Sequence, residues 1–363
     1  MYIFHRFILK IANYLAELKY SKNKFKKKVY NALFHFSENF IFPTDNRLQN
    51  LTKLKKNHNK NLYIYIIPIW GKIYSEAFFN HFFSSFLSPN NIWWLKKKYN
   101  VKIFIYYDDI FQKKLDKHIF FKKQFTKLKI ICRKIQDYTQ DKNKDYLSSI
   151  ILKTYIEHAQ ECIKNNATSI NLSTDFILPS NYLKNLSTII HGKPFCYSHS
   201  HMRVSPSILK KINQYKKNDI IVISTQNLVN LSKKYPYSHI KFQNDELESN
   251  LTHLGFSWRR INHENYSVVN GVIGTITFNF IEEDIFFLKS LQSWSGHDRQ
   301  IPQYLLTSKR MKLISSSDLA FFSEVTYLDT KIQLKRNNKF NDLSKSNKLA
   351  SNIWNSVVGN WRS

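Results

Sequence analysis

At 363 residues with 43% hydrophobic side chains, the chain can bury a large core, so it is neither a disordered tail nor a small disulfide-stapled module. Lys and Arg outnumber Asp and Glu 55 to 26, a formal charge of +29, which in general favours nucleic acid or an anionic membrane surface. The lysines are spread over most of the chain and no RNP box, helix-turn-helix signature or zinc finger accompanies them, so no specific nucleic-acid partner is expected.

In chain order, Ile3, Phe4, Phe7, Ile8, Ile11, Tyr14, Leu15 and Leu18 share one broad helical face, and Lys22, Lys24, Lys26, Lys27 and Lys28 follow. Such a helix either packs on the body of the protein or lies in a membrane interface, held by acyl chains and anionic headgroups together. Residues 1–58 therefore read as a basic helical extension and linker. No run approaches the roughly 18 apolar residues of a membrane span, and His5, Arg6, Lys10 and Glu17 interrupt the N-terminal stretch with no small-residue cleavage site. The expectation is a cytoplasmic protein, at the inner membrane face if residues 1–28 take the second of those two roles. Cys132, Cys162 and Cys196 are far apart and lack CxxC spacing, as buried thiols in a reducing compartment would be.

The core domain spans 59–330. Asn61 to Ile69 is an apolar run into Trp70-Gly71, and Val101 to Tyr107 is a second that ends in Asp108-Asp109. Leu147, Ile150, Ile151, Tyr155, Ala159 and Ile163 recur at helical spacing until Asn165-Asn166 stops them. The apolar strand at 167–172 then runs into Ser173-Thr174-Asp175, and a helix is expected from about Ser180 to Ile190. Three strands of parallel type thus finish in polar or acidic turns, the edge at which an open α/β sheet binds nucleotides. Asp175 could equally cap the next helix.

Beyond it, His199, His201 and Arg203 alternate on one strand face. The histidines suit a solvent-facing sheet surface or a metal, and Arg203 could grip a diphosphate with its planar fork. Residues 209–231 read as helices around Ile220 to Ile223, a stretch that fits strand or buried helix and is taken as helix by continuity. The segments 255–260 and 267–278 read as glycine-punctuated strands, in a chain with only seven glycines. Trp294 to Pro302 gathers Gly296, His297, Asp298 and Arg299 into one loop, where Asp298 is a candidate general base. Its alternative is to cap the helix that Pro302 begins. Asp318 reads more simply as part of an N-cap cluster. Residues 331–363 form a polar tail, and Ile353, Trp354, Val357, Val358 and Trp361 suggest a short helix there.

The run Ile66-Ile67-Pro68-Ile69-Trp70 followed, two strands later, by an acidic turn resembles the GT-A glycosyltransferases, the nucleotide-diphospho-sugar transferase superfamily. The resemblance implies an α/β, Rossmann-like, mostly parallel sheet flanked by helices, with the N-terminal helical extension preceding it. It implies that Pro68 and Trp70 belong to the nucleotide-binding half, that Asp108 or Asp109 contacts the nucleoside, and that Ser173 and Asp175 face the donor diphosphate. Arg203 would meet the phosphates and Asp298 the acceptor. Where the family carries Asp-x-Asp to hold a divalent ion, this chain reads Ser173-Thr174-Asp175. Asp175 is then the metal-ligand candidate for Mn or Mg, in a thin shell for a cation that prefers several oxygens.

The function implied is transfer of a sugar from a nucleotide-diphosphate sugar to a glycan or lipid-linked acceptor, as in polysaccharide biosynthesis. A non-catalytic nucleotide- or glycan-binding protein of the same fold is the alternative, and a basic nucleic-acid binder a more distant one. There is no GxxxxGK[ST], GxGxxG or HExxH to support a P-loop, dinucleotide or zinc-protease activity.

Overall fold

The computed structural model describes residues 60–138, 146–237 apart from 192 and 194, 276–291, most of 301–327, and the backbone of strands at 256–260, 265–270 and 358–362. The extension at 1–58 and the loop bearing Asp298 lie outside the described residues.

The first strand, β1 (Asn61–Ile69), sits between β2 (Asn100–Tyr107) and β4 (Thr168–Leu172), parallel to both, and β3 (Ile130–Lys134) adds outside β2. Beyond β4 come β11 (Ile276–Phe278), β6 (Cys196–Val204), β13 (Phe321–Val325) and β5 (Phe176–Ile177), and β12 (Met311–Ile314) also pairs with β6. The result is a nine-stranded, mostly parallel sheet in which β11 and β5 run against their neighbours.

Both faces of this sheet are covered, which is why β1 is apolar at nearly every position rather than alternating. Leu62, Ile64 and Ile66 face one layer, with Phe78, Phe79, Phe82, Phe83 and Phe86. These phenylalanines come from α1 (Gly71–Ala77), a π-turn at Phe78–Phe82 and α2 (Phe83–Phe86). The same layer holds α3 (Ile92–Lys98), α4 (Asp109–Lys117), α5 (Ile119–Lys127) and α7 (Tyr182–Ile190). Tyr63 and Tyr65 face the other layer, against α6 (Tyr146–Lys164) and α10 (Glu282–Ser290). Polar groups there pair off: Tyr65 Oη lies 2.8 Å from Thr154 Oγ1, and His158 Nε2 lies 2.8 Å from Ser169 Oγ.

The buried Asp284 of α10 accepts from Arg310 Nη1 at 2.5 Å and Nη2 at 2.9 Å, from Tyr304 Oη at 2.9 Å and from the Ile281 N–H at 2.9 Å. Arg310 Nη2 also donates to the Asn279 carbonyl at 2.8 Å, which fastens α10 to the strand ends before and after it. A third apolar cluster lies under the far half of β6, where Met202 and Val204 meet α8 (Leu209–Ile212) and α9 (Thr225–Lys234).

Two sequence expectations are corrected. Ile220 and Ile221 form β8, paired antiparallel with β7 (Lys216–Lys217), rather than continuing a helix. Asn218 and Asp219 take the left-handed conformation at φ 49° and 63°, which a two-residue hairpin turn demands and a helix cannot contain. Near the C-terminus, Val358–Arg362 forms β14, antiparallel to β10 (Asn265–Asn270), which pairs in turn with β9 (Phe256–Arg260). β-branched and aromatic residues suit that pleated ribbon better than the short helix their spacing suggested.

Candidate functional site at the carboxyl edge of the sheet

The carboxyl ends of β1, β2 and β4 come together because the three strands are parallel and adjacent. After Pro68 and Ile69 the chain turns at Trp70 and Gly71, whose φ of +68° is open to glycine without strain. Asp108 fixes this turn: Oδ2 accepts the Gly71 N–H at 2.6 Å while Oδ1 caps α4 at the Phe111 N–H, 2.9 Å away. Asp109 points outward, paired with Lys134 at 3.0 Å and with Gln136. Trp70 is half-buried, its ring 5.2 Å from that of Tyr74 in the first turns of α1.

Past β4, the buried Thr174 anchors the turn that carries Asp175. The Asp175 carbonyl accepts the Val325 N–H at 2.8 Å, tying the turn to β13. Its carboxyl Oδ1 is buried with no hydrogen-bond partner among the described residues. Burial, then the charge of Glu324, push the Asp175 pKa up to about 7, against the smaller opposing pull of the Ser173 hydroxyl and Arg203.

Glu324 stands beside it because β13 pairs in parallel with β6, matching Phe322 to His201 and Glu324 to Arg203. Glu324 Oε1 lies 2.9 Å from Arg203 Nε and Oε2 lies 3.2 Å from His201 Nε2. The Arg203 N–H is not aimed as a hydrogen bond, so this contact is a charge pairing. His201 is buried, its ring parallel to that of Phe322 at 5.0 Å.

The facing wall comes from α1, the π-turn and the segment after β13. Tyr74 feels the charges of Asp175 and Glu324 and, chiefly through burial, has its phenol pKa raised. Burial, then Asp175, likewise raise Tyr327. His81 sits within the π-turn, a helix irregularity common near functional sites. It is buried with neither ring nitrogen in a hydrogen bond among the described residues, and burial depresses its pKa to about 3 despite the nearby Asp175 carbonyl.

The structure thus gathers Ser173, Asp175 and Arg203 at one place. Pro68, Trp70 and Asp108 stand at the neighbouring strand ends, with Asp109 on the outer side. The sequence reading gave no role to Glu324, His81, Tyr74 or Tyr327; of the two β6 histidines, read as facing solvent or a metal, His201 is buried, and the His199 side chain lies outside the described residues. A signal for Glu324 was available, since an acid inside the apolar run Phe321-Phe322-Ser323-Glu324-Val325 requires a partner.

Among the described residues no group of three His, Cys, Asp or Glu side chains could hold a metal ion. Asp175 offers one carboxylate, position 173 is serine, and both Glu324 oxygens already face cationic or imidazole nitrogens. These groups do not by themselves build the oxygen shell that Mn or Mg prefers. Nor is any described helix long and apolar enough to cross a membrane.

No family model and no curated protein matches the sequence. Among solved structures, mouse xyloside xylosyltransferase 1 in its apo form aligns at a TM-score of 0.26 and 12% identity, covering 38% of this chain and 52% of its own. GalNAc-T7, solved with UDP, GalNAc and Mn2+, aligns at a TM-score of 0.39 and 11% identity, covering 74% of this chain and 44% of its own. The chain therefore spans about half the length of these two structures.

Proposed function

We propose that the chain transfers a sugar from a nucleotide-diphosphate donor to a glycan or lipid-linked acceptor. The observation that carries this reading is a half-buried carboxylate, Asp175, whose buried Oδ1 has no hydrogen-bond partner among the described residues, beside Arg203 at the carboxyl edge of a parallel sheet. That edge is where open α/β sheets receive nucleotides.

In this reading Pro68 and Trp70 line the nucleoside side, with Asp108 holding their turn and Asp109 as its exposed acid. Ser173 and Asp175 face the diphosphate and sugar, and Arg203 meets the phosphate charge. The acceptor hydroxyl oxygen bonds to the anomeric carbon as the bond from that carbon to the phosphate oxygen breaks. The nucleoside diphosphate leaves with the electron pair, and Asp298 takes the hydroxyl proton. Any Mn or Mg ion would draw on Asp175 alone among these residues, its remaining ligands coming from the donor phosphates and water. Residues 1–28 would bring the enzyme to the inner membrane face, where lipid-linked acceptors lie.

Serine at position 173 favours one second reading, a protein of the same fold that binds nucleotide or glycan without turnover. An assay of donor hydrolysis and sugar transfer across UDP, GDP, CMP and dTDP sugars separates the two. Transfer with one donor, reduced about a hundredfold or more in Asp175→Ala, supports the enzyme; an Asp175→Ala protein with full activity removes Asp175 from the site.

A further inference from the structure

We propose that Arg203 is a phosphate fork that grips the donor diphosphate without requiring a divalent cation, and that Glu324 and His201 are the positioning residues that aim it. The inference rests on the transferase reading for the identity of the ligand, but its geometry is independent of it.

Arg203, Glu324 and His201 are set on two paired strands, so their spacing is fixed by the β6–β13 register rather than by a loop. His201 is locked by burial and by its parallel contact with Phe322. It faces Glu324 Oε2, and Glu324 Oε1 faces Arg203 Nε. Glu324 Oε1 thus stands 2.9 Å from the Arg203 Nε as a charge pairing without an aimed hydrogen bond, and the Arg203 side chain is 27% exposed. A planar guanidinium restrained in this way presents two parallel N–H donors, the geometry that matches two phosphate oxygens. Arg203 offsets the Glu324 charge that would otherwise repel an anion. Serine at position 173 acts in the same direction: it withdraws one cation ligand and, with it, one negative charge from the path of the diphosphate.

The test is calorimetric titration of the full chain with inorganic pyrophosphate, in EDTA and then in Mg2+. Binding should persist in EDTA, within about threefold of its strength in Mg2+. Arg203→Lys keeps the charge but not the fork and should weaken binding about tenfold or more. Glu324→Gln and His201→Gln should weaken it by a similar factor with the melting temperature little changed, and should raise the donor KM with kcat preserved. Pyrophosphate binding that appears only with Mg2+ would overturn the proposal, as would an Arg203→Lys protein of full affinity. Pyrophosphate bound through Arg203 in EDTA, with no nucleotide sugar bound or turned over, would leave the fork standing and remove the transferase. Turnover that needs a cation and survives Arg203→Ala would do the reverse.

Discussion

Two acids of this molecule, the buried Asp284 and the half-buried Asp175, live in opposite circumstances. Asp284 has both oxygens filled by Arg310, Tyr304 and its own helix N-terminus, and its partner Arg310 has only its Nε unpaired. Asp175 is placed near Arg203, yet its Oδ1 is left without a hydrogen bond among the described residues, and the closest charged strand neighbour of that arginine is another acid, Glu324. A satisfied network fixes a fold, whereas an unsatisfied one held in place by its surroundings marks a site built to receive something.

Breaking the satisfied network should have the largest effect. Arg310→Ala leaves the Asp284 charge buried without its cation, with only Tyr304 and the Ile281 N–H still donating to it, and urea denaturation should show a loss of about 3–5 kcal/mol; a loss under about 1 kcal/mol would deny the Arg310–Asp284 pair its structural role. Removing the unsatisfied acid should do the opposite. Asp175→Asn is expected to hold or raise stability at pH 7, by up to a few kcal/mol, while donor binding falls.

The pH dependence sharpens the contrast. Because the Asp175 pKa rises on folding from 3.8 to about 7, its destabilising contribution is absent below about pH 4 and grows as pH rises toward 7. His81 and His158 act in the reverse sense, since burial lowers each from 6.5 to about 3. Their contribution is complete above about pH 6.5 and is lost as pH falls toward 3. Between pH 6.5 and 4 the two effects oppose each other in the native chain. Asp175→Asn leaves the imidazole limb alone, so its melting temperature should fall more steeply on acidification than that of the native protein; parallel curves would show that Asp175 does not carry the raised pKa. The smallest change concerns the β7–β8 hairpin, where Asn218→Gly relieves a left-handed residue and should stabilise by roughly 0.5–1 kcal/mol in the same denaturation assay.

The β1, β2 and β4 strands were legible because each is a short run dominated by Ile, Leu, Val, Tyr and Phe and bounded by polar turn residues, although Lys102 interrupts β2 and Ser169 and Asn171 interrupt β4. Arg203 was legible from its place soon after the Asp175 turn. Glu324 was not, since it reaches the site through the β13–β6 register across more than a hundred residues of chain, and no local pattern encodes that pairing. His81 was hidden for another reason: it lies in a phenylalanine-rich helix that reads as pure core, and only the π-turn sets it toward Asp175. The Ile220–Ile221 hairpin was missed because two short apolar residues fit strand and helix alike, and the decisive signal was the Asn218-Asp219 turn.

The Asp175 edge is proposed to bind a nucleotide-sugar donor. Its most direct test is a thermal-shift panel of UDP, GDP, CMP and dTDP sugars, each with and without Mn2+ or Mg2+, on the native chain and Asp175→Ala, since a ligand that binds only the folded state raises its melting temperature. A shift with one nucleotide class that is lost in the variant is expected; a flat panel, or a shift that the variant retains in full, would contradict donor binding at this edge.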